Sequence, residues 1–202
     1  MDYLSAHSSS ESDHLVLQQI SVSGEQALLA VLCPRSAANK EICDEICAWF
    51  QNEMPSLIKR VGAEDALSAG AEYISEKLQG GSSAAPLAPE TDRPLRSYHA
   101  LLLISGSSAF ASQSGDGYGI YRIANAFGRK KILPLIGTDT SEKMHIESGS
   151  QLIIASSKLT ACAKESDIIN CIEAGEASGR PERSLAEIRD ISKTGIIWIK
   201  AK

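Results

Sequence analysis

Short strand-like runs crowd the second half of the chain, at residues 98–104, 109–113, 119–123, 131–135 and 152–155, with helical periodicity on either side of them. Runs this short, bounded by turn residues, fit strands better than helices. Upstream, alternating apolar positions at Leu15 and Leu17 and the run 28–32 add two strands, joined by a hairpin turn near Gly24. Ser36 can cap a helix whose Ile42, Ile46, Trp49 and Phe50 share one face, and Pro55 marks its end or a restart. Leu67, Ala71, Ile74 and Leu78 place a second helix at 64–78, and the Gly- and Pro-rich segment 80–94 reads as an exposed loop. Helices at 165–173 and 181–190 precede a last strand at 196–199. Two helices, many strands, two helices and a closing strand make an α+β sandwich. The Ser-rich residues 1–12 are expected to fray, leaving 13–202 as a single domain with no internal repeat.

A chain of 202 residues can bury about 70% of its unfolded surface, so it needs no disulfide or metal staple. Its net charge is -5 with no basic block, which gives little support to a nucleic-acid or acidic-membrane partner. Wholly apolar runs such as 100–104 are far shorter than the roughly 20 residues that span a bilayer, and the polar start lacks a signal peptide's basic and apolar regions. A cytoplasmic protein is expected. An odd number of cysteines, 5, set in helical and strand-like patterns suits a reducing compartment.

Four blocks carry a resemblance. QLIIASSKLT (151–160) resembles the strand that ends in Ser-Asp-Gly-Leu-Thr in metal-dependent protein phosphatases of the 2C type, the PPM family. DHLVLQQISVSGEQALLAVLCPR (13–35) is similar to that family's paired strands ending in Asp-Gly-Met-Gly-Gly, and ALLLISGSSAFASQSGDGYGIYRI (100–123) to the strands around its Gly-Asp-Ser signature. SLAEIRDISKTGIIWIK (184–200) looks like the last helix and the strand that normally begins Asp-Asn-Ile-Thr. The resemblance implies a four-layer α/β/β/α sandwich, with two central, mainly antiparallel sheets flanked by helix pairs. It also implies a shortened flap, the family's excursion that would fall between Ile123 and Leu133.

In that family, carboxylates hold two Mg²⁺ or Mn²⁺ ions whose bridging water attacks phosphorus. Carried over residue by residue, the first aspartate becomes Pro34 and its glycine Arg35. Ser-Asp-Gly becomes Ser156, Ser157 and Lys158, and the terminal Asp-Asn becomes Ser192 and Lys193. The family's phosphate-binding basic residue has no counterpart among Ser8, Ser9 and Ser10, and only Asp13 and Asp116 keep carboxylates. The resemblance with these departures implies no metal centre and no cofactor, and a pseudophosphatase acting as a binding or regulatory module. Its partners would be phosphorylated proteins or a Ser/Thr kinase system.

The bases beside the lost aspartates, Arg35, Lys158 and Lys193, are candidates for binding an anion, against the alternative that they pair with Asp13 and Asp116 or point into water. Two other functional classes stand beside the module. One is a divergent phosphatase recruiting Mg²⁺ or Mn²⁺ through Asp13, Asp116 and backbone oxygens. The other is a structural or oligomerisation domain with a filled pocket. The sequence does not set the oligomeric state.

Other motifs carry less. GDGYG at 115–119 leads into the strand-like IYRI rather than a helix, so it reads as a strand turn and not a phosphate loop. Cys43 and Cys47 lie four apart on a helix without further ligands to complete a metal site, and read as buried thiols. His7, His14, His99 and His145 are scattered, and no nucleophile elbow is present. Asp44, Glu45 and Glu53 read as the wet face of an amphipathic helix rather than an acid/base set.

Overall fold

A computed structural model describes residues 2–22, 25–35, 37–62, 65–66, 68–70, 72–73, 77, 99–115, 117–138 and 140–202. Its strands are β1 (Tyr3–Ser8), β2 (Asp13–Val22), β3 (Glu25–Pro34), β4 (His99–Ser105), β5 (Ser108–Ser114), β6 (Tyr118–Ala126), β7 (Arg129–Pro134), β8 (Thr140–His145), β9 (Gln151–Ser156) and β10 (Ile196–Ala201). Its helices with defined ends are α1 (Ala37–Asn52), α2 (Met54–Val61), α3 (Lys158–Cys162), α4 (Glu165–Ala177) and α5 (Pro181–Ser192). The described residues of the expected helix at 64–78 are helical. The turn near Gly24, the cap at Ser36 and the loop 80–94 lie outside the described residues.

Two antiparallel sheets form, one ordered β1-β10-β9-β6-β7 and the other β2-β3-β4-β5-β8. Their sequences explain the stacking. Along β3, Leu28, Ala30 and Leu32 face the core between the sheets, while Ala27, Leu29, Val31 and Cys33 face α1 and α2. Along β4, Ala100, Leu102 and Ile104 face inward, and Leu101 and Leu103 face the helices. Strands covered on both faces read as continuous apolar runs, which is why the run at 100–104 shows no alternation. The first sheet repeats the arrangement. Leu152, Ile154, Ile197 and Ile199 fill the central core, and Ile153, Ala155, Ile196 and Trp198 pack on the other side with Ile168, Ile172, Leu185 and Ile188. The result is the α/β/β/α sandwich.

One expectation needs correction, and two are met. The residues expected to fray include β1, which pairs along its whole length with β10, Ala6 opposite Trp198. The chain does restart at Pro55: α1 ends before Glu53, and α2 carries proline in its first turn, where the missing N–H costs nothing. Besides β1, two elements were not anticipated, β8 and the short α3. The segment 123–133 is a plain hairpin, with Ala126 opposite Arg129 and no excursion between them. Among the described residues, no helix is long and apolar enough to cross a membrane.

Candidate functional site

The fold draws the ends of five strands together. Asp13, first residue of β2, sits opposite Pro34, last residue of β3, and Tyr118 at the start of β6 sits opposite Ser156 at the end of β9. The Arg35 amide donates to the Ser12 carbonyl at 2.9 Å, and the Ser157 amide to Gly117 at 3.0 Å, which fixes both strand exits. Thr194 and Gly195 lead into β10 beside them. Between these ends opens a cleft of about 350 Å³ whose lining includes Asp13, Pro34, Tyr118, Ser157, Lys158 and Thr194.

Asp13 is buried, 6% exposed, and both of its carboxylate oxygens accept hydrogen bonds. Oδ1 accepts from the Tyr118 hydroxyl at 2.6 Å. Oδ2 accepts from the Ser10 hydroxyl at 2.6 Å and from the Gly195 amide at 2.5 Å. These donors come from the β1–β2 link, from β6 and from the α5–β10 link, so one side chain ties both sheets and the last helix exit together. Burial first, then the hydrogen bond and charge of Asp13, push the Tyr118 phenol well above its usual range, so it remains a donor. Gly195 permits the close approach: a Cβ there would lie 3.0 Å from a Leu32 methyl and 3.3 Å from Asp13 Oδ2.

The other matched positions divide. Pro34 lines the cleft and has no side-chain oxygen. Ser157 is exposed at the start of α3, and Lys158 is exposed at the cleft, its amide donating to Ser156 Oγ at 3.3 Å. Ser192 is buried, with its hydroxyl 3.0 Å from that of Thr194. Lys193 has a left-handed backbone, φ 57°, because it caps α5, with its amide on the Arg189 carbonyl at 2.6 Å. That turn sends Lys193 to an adjoining cleft of about 450 Å³, with Ser9, Ser10, Glu11, Arg189 and Asp190. Arg35 is exposed and is not among the residues lining either cleft. Asp116 lies outside the described residues. Lys158 and Lys193 thus line two different clefts that share Ser12, while Arg35, whose amide bonds the Ser12 carbonyl, lines neither.

Tyr118, Ser10, Thr194 and Gly195 belong to the site and were not singled out from the sequence. Tyr118 carried the only available signal, a phenol one residue beyond the turn that holds the matched Gly115 and Asp116.

No protein-family model matches the sequence, and no curated protein sequence matches it. Solved structures do match. The chain is similar to the serine/threonine phosphatase of S. agalactiae, with TM-score 0.58 and 8% identity over 100% of each chain. It is similar to the PP2C phosphatase domain of SpoIIE from Bacillus subtilis, with TM-score 0.52 and 10% identity over 98% of this chain and 62% of that one. It is also similar to the PPM Ser-Thr phosphatase MsPP from Mycobacterium smegmatis in complex with cacodylate, with TM-score 0.50 and 14% identity over 96% of this chain and 100% of that one. With an α/β/β/α order, two antiparallel sheets and near-complete coverage, this chain has the PP2C-type, or PPM, phosphatase fold.

Proposed function

We propose that this is a non-catalytic domain of PP2C type, a binding or regulatory module that uses the cleft at Asp13 without hydrolysing what it binds. The observation that carries the reading is the state of Asp13, the matched carboxylate among the described residues: both of its oxygens accept hydrogen bonds, from Ser10, Tyr118 and Gly195. Hard divalent ions need several charged oxygens. Among the described residues, the matched positions besides Asp13 offer Pro34, the exposed Ser157, and Ser192 bonded to Thr194. That donor set does not fit a pair of Mg²⁺ or Mn²⁺ ions, so no reaction step is assigned to them. A carboxylate that would grip a cation instead holds strands together. Lys158 at the cleft supplies the charge for an anionic group. A phosphorylated protein or a Ser/Thr kinase system of the cytoplasm suits that chemistry and the fold, a step made by analogy.

Incubated with Mn²⁺ and an aryl phosphate or a phosphopeptide, the protein is expected to show no turnover above that of a mock preparation, and calorimetry no saturable Mn²⁺ site near the micromolar range. A phosphopeptide should bind, less tightly as salt rises, and Lys158→Ala should weaken it about tenfold, the worth of one charged hydrogen bond. Mn²⁺-dependent turnover that survives repeated columns and disappears in Asp116→Asn would reverse the reading in favour of a divergent phosphatase.

A further inference from the structure

The β6–β7 hairpin turns on Phe127 and Gly128, both left-handed at φ 52° and 74°, between the paired Ala126 and Arg129. Such a two-residue turn favours Asn, Asp or Gly at its first central position, and a bulky residue there is strained. Phe127 gains no contact in return among the described residues. It is 102% exposed, whereas Leu4, Val61 and Ile191, the other exposed large apolar residues among those described, are 40 to 61% exposed. A residue that breaks a local rule without any compensating contact points to something outside the fold.

Pairing register sets what surrounds the tip. Arg122, Ala124 and Ala126 alternate along β6, and their partners Leu133, Lys131 and Arg129 alternate along β7, so all six share one face. The opposite face carries Ile123 and Ile132, packed toward α4 and α5, and Lys130, paired with Glu173. Arg122 and Arg129 are exposed and make no ion pair among the described residues, and Lys131 is exposed with an ion pair to Glu165 at 3.8 Å. A chain of net charge -5 therefore concentrates a basic stripe behind one aromatic tip. The base is held firmly, with the Ile132 amide bonded to the Glu165 carboxylate.

We propose that this hairpin docks the domain on an anionic phospholipid surface, with Phe127 entering the boundary between headgroups and acyl chains and Arg122, Lys131 and Arg129 meeting lipid phosphates. A stable protein interface buries about 800 Å² on each partner, far more than one convex tip and three cations offer. A lipid surface asks only for an apolar anchor with cations close behind it. The expectation of no membrane partner came from the average charge, which conceals this local excess.

The test is cosedimentation of the whole chain with vesicles of phosphatidylglycerol mixed with phosphatidylcholine, against phosphatidylcholine alone. Binding is expected only to the anionic vesicles, falling with salt. Phe127→Asn should lower it about tenfold, and Arg122→Gln and Arg129→Gln about fivefold each. Asn suits the turn, so Phe127→Asn should melt no lower than the parent, which separates lost docking from lost folding. The indole introduced by Phe127→Trp should shift its emission to the blue on the anionic vesicles and be quenched by brominated lipid. No binding to anionic vesicles, equal binding by Phe127→Asn, or an indole that stays in water would each overturn the proposal. So would binding to DNA or heparin without binding to vesicles, which would assign the stripe to a polyanion.

Discussion

Asp13→Ala is expected to destabilise the domain by about 3 kcal/mol, read as a lower denaturation midpoint in urea at an unchanged slope and without divalent ions. The substitution strands the Tyr118 hydroxyl, the Ser10 hydroxyl and the Gly195 amide, which converge on that carboxylate. Each buried orphan costs about 1–3 kcal/mol, and water entering from the cleft relieves part of the sum. The sign is what discriminates. A carboxylate kept to hold a cation sits among others of its charge, and removing it from metal-free protein relieves repulsion and stabilises. Asp13→Asn should fall between, since its amide nitrogen accepts nothing from these donors. A gain in stability, or a loss below about 0.5 kcal/mol, would mean that the carboxylate is not a clamp and would remove the observation on which the non-catalytic reading rests.

What the sequence makes legible follows from the range of the interactions. Period-two alternation and unbroken apolar runs marked β3, β4, β6, β9 and β10 because each buries residues that its own pattern displays. β8 escaped notice because its sequence TSEKMH is nearly all polar: it is an edge strand of which Met144 packs on the core. The clamp was harder to see. Tyr118 lies 105 residues from Asp13 and Gly195 lies 182 away, separations that no local pattern records. Motif matching found Asp13 but not its hydrogen bonds, which depend on donors arriving from β6 and from the β1–β2 and α5–β10 links. The basic residues show the same limit from the other side. Arg35, Lys158 and Lys193 each sit beside a position where the resemblance calls for aspartate, yet the left-handed cap of α5 sends Lys193 to the adjoining cleft and Arg35 lines neither.

Deleting residues 1–8 is expected to be the most damaging change of all, costing about 5 kcal/mol and lowering the melting temperature by about 15 °C. Composition suggested otherwise, since a Ser-rich start with few apolar residues has little to bury. The register supplies what composition hides. All of β1 pairs with β10, the Lys202 amide bonds the Asp2 carbonyl at 2.8 Å, and the Tyr3 hydroxyl crosses the core to the Gly106 carbonyl in the β4–β5 turn. Without β1 the apolar strand β10, with Ile197, Trp198 and Ile199, becomes a bare edge open to association. A loss of about 5 kcal/mol is comparable to the whole stability of many domains, so the shortened chain should also sediment as aggregates. Tyr3→Phe, which removes only the hydroxyl that reaches Gly106, should cost about 1 kcal/mol and separates that tether from the ladder. A shortened chain that melts within about 2 °C of the parent would put β1 back among frayed termini, because peripheral residues change stability by no more than about 0.5 kcal/mol.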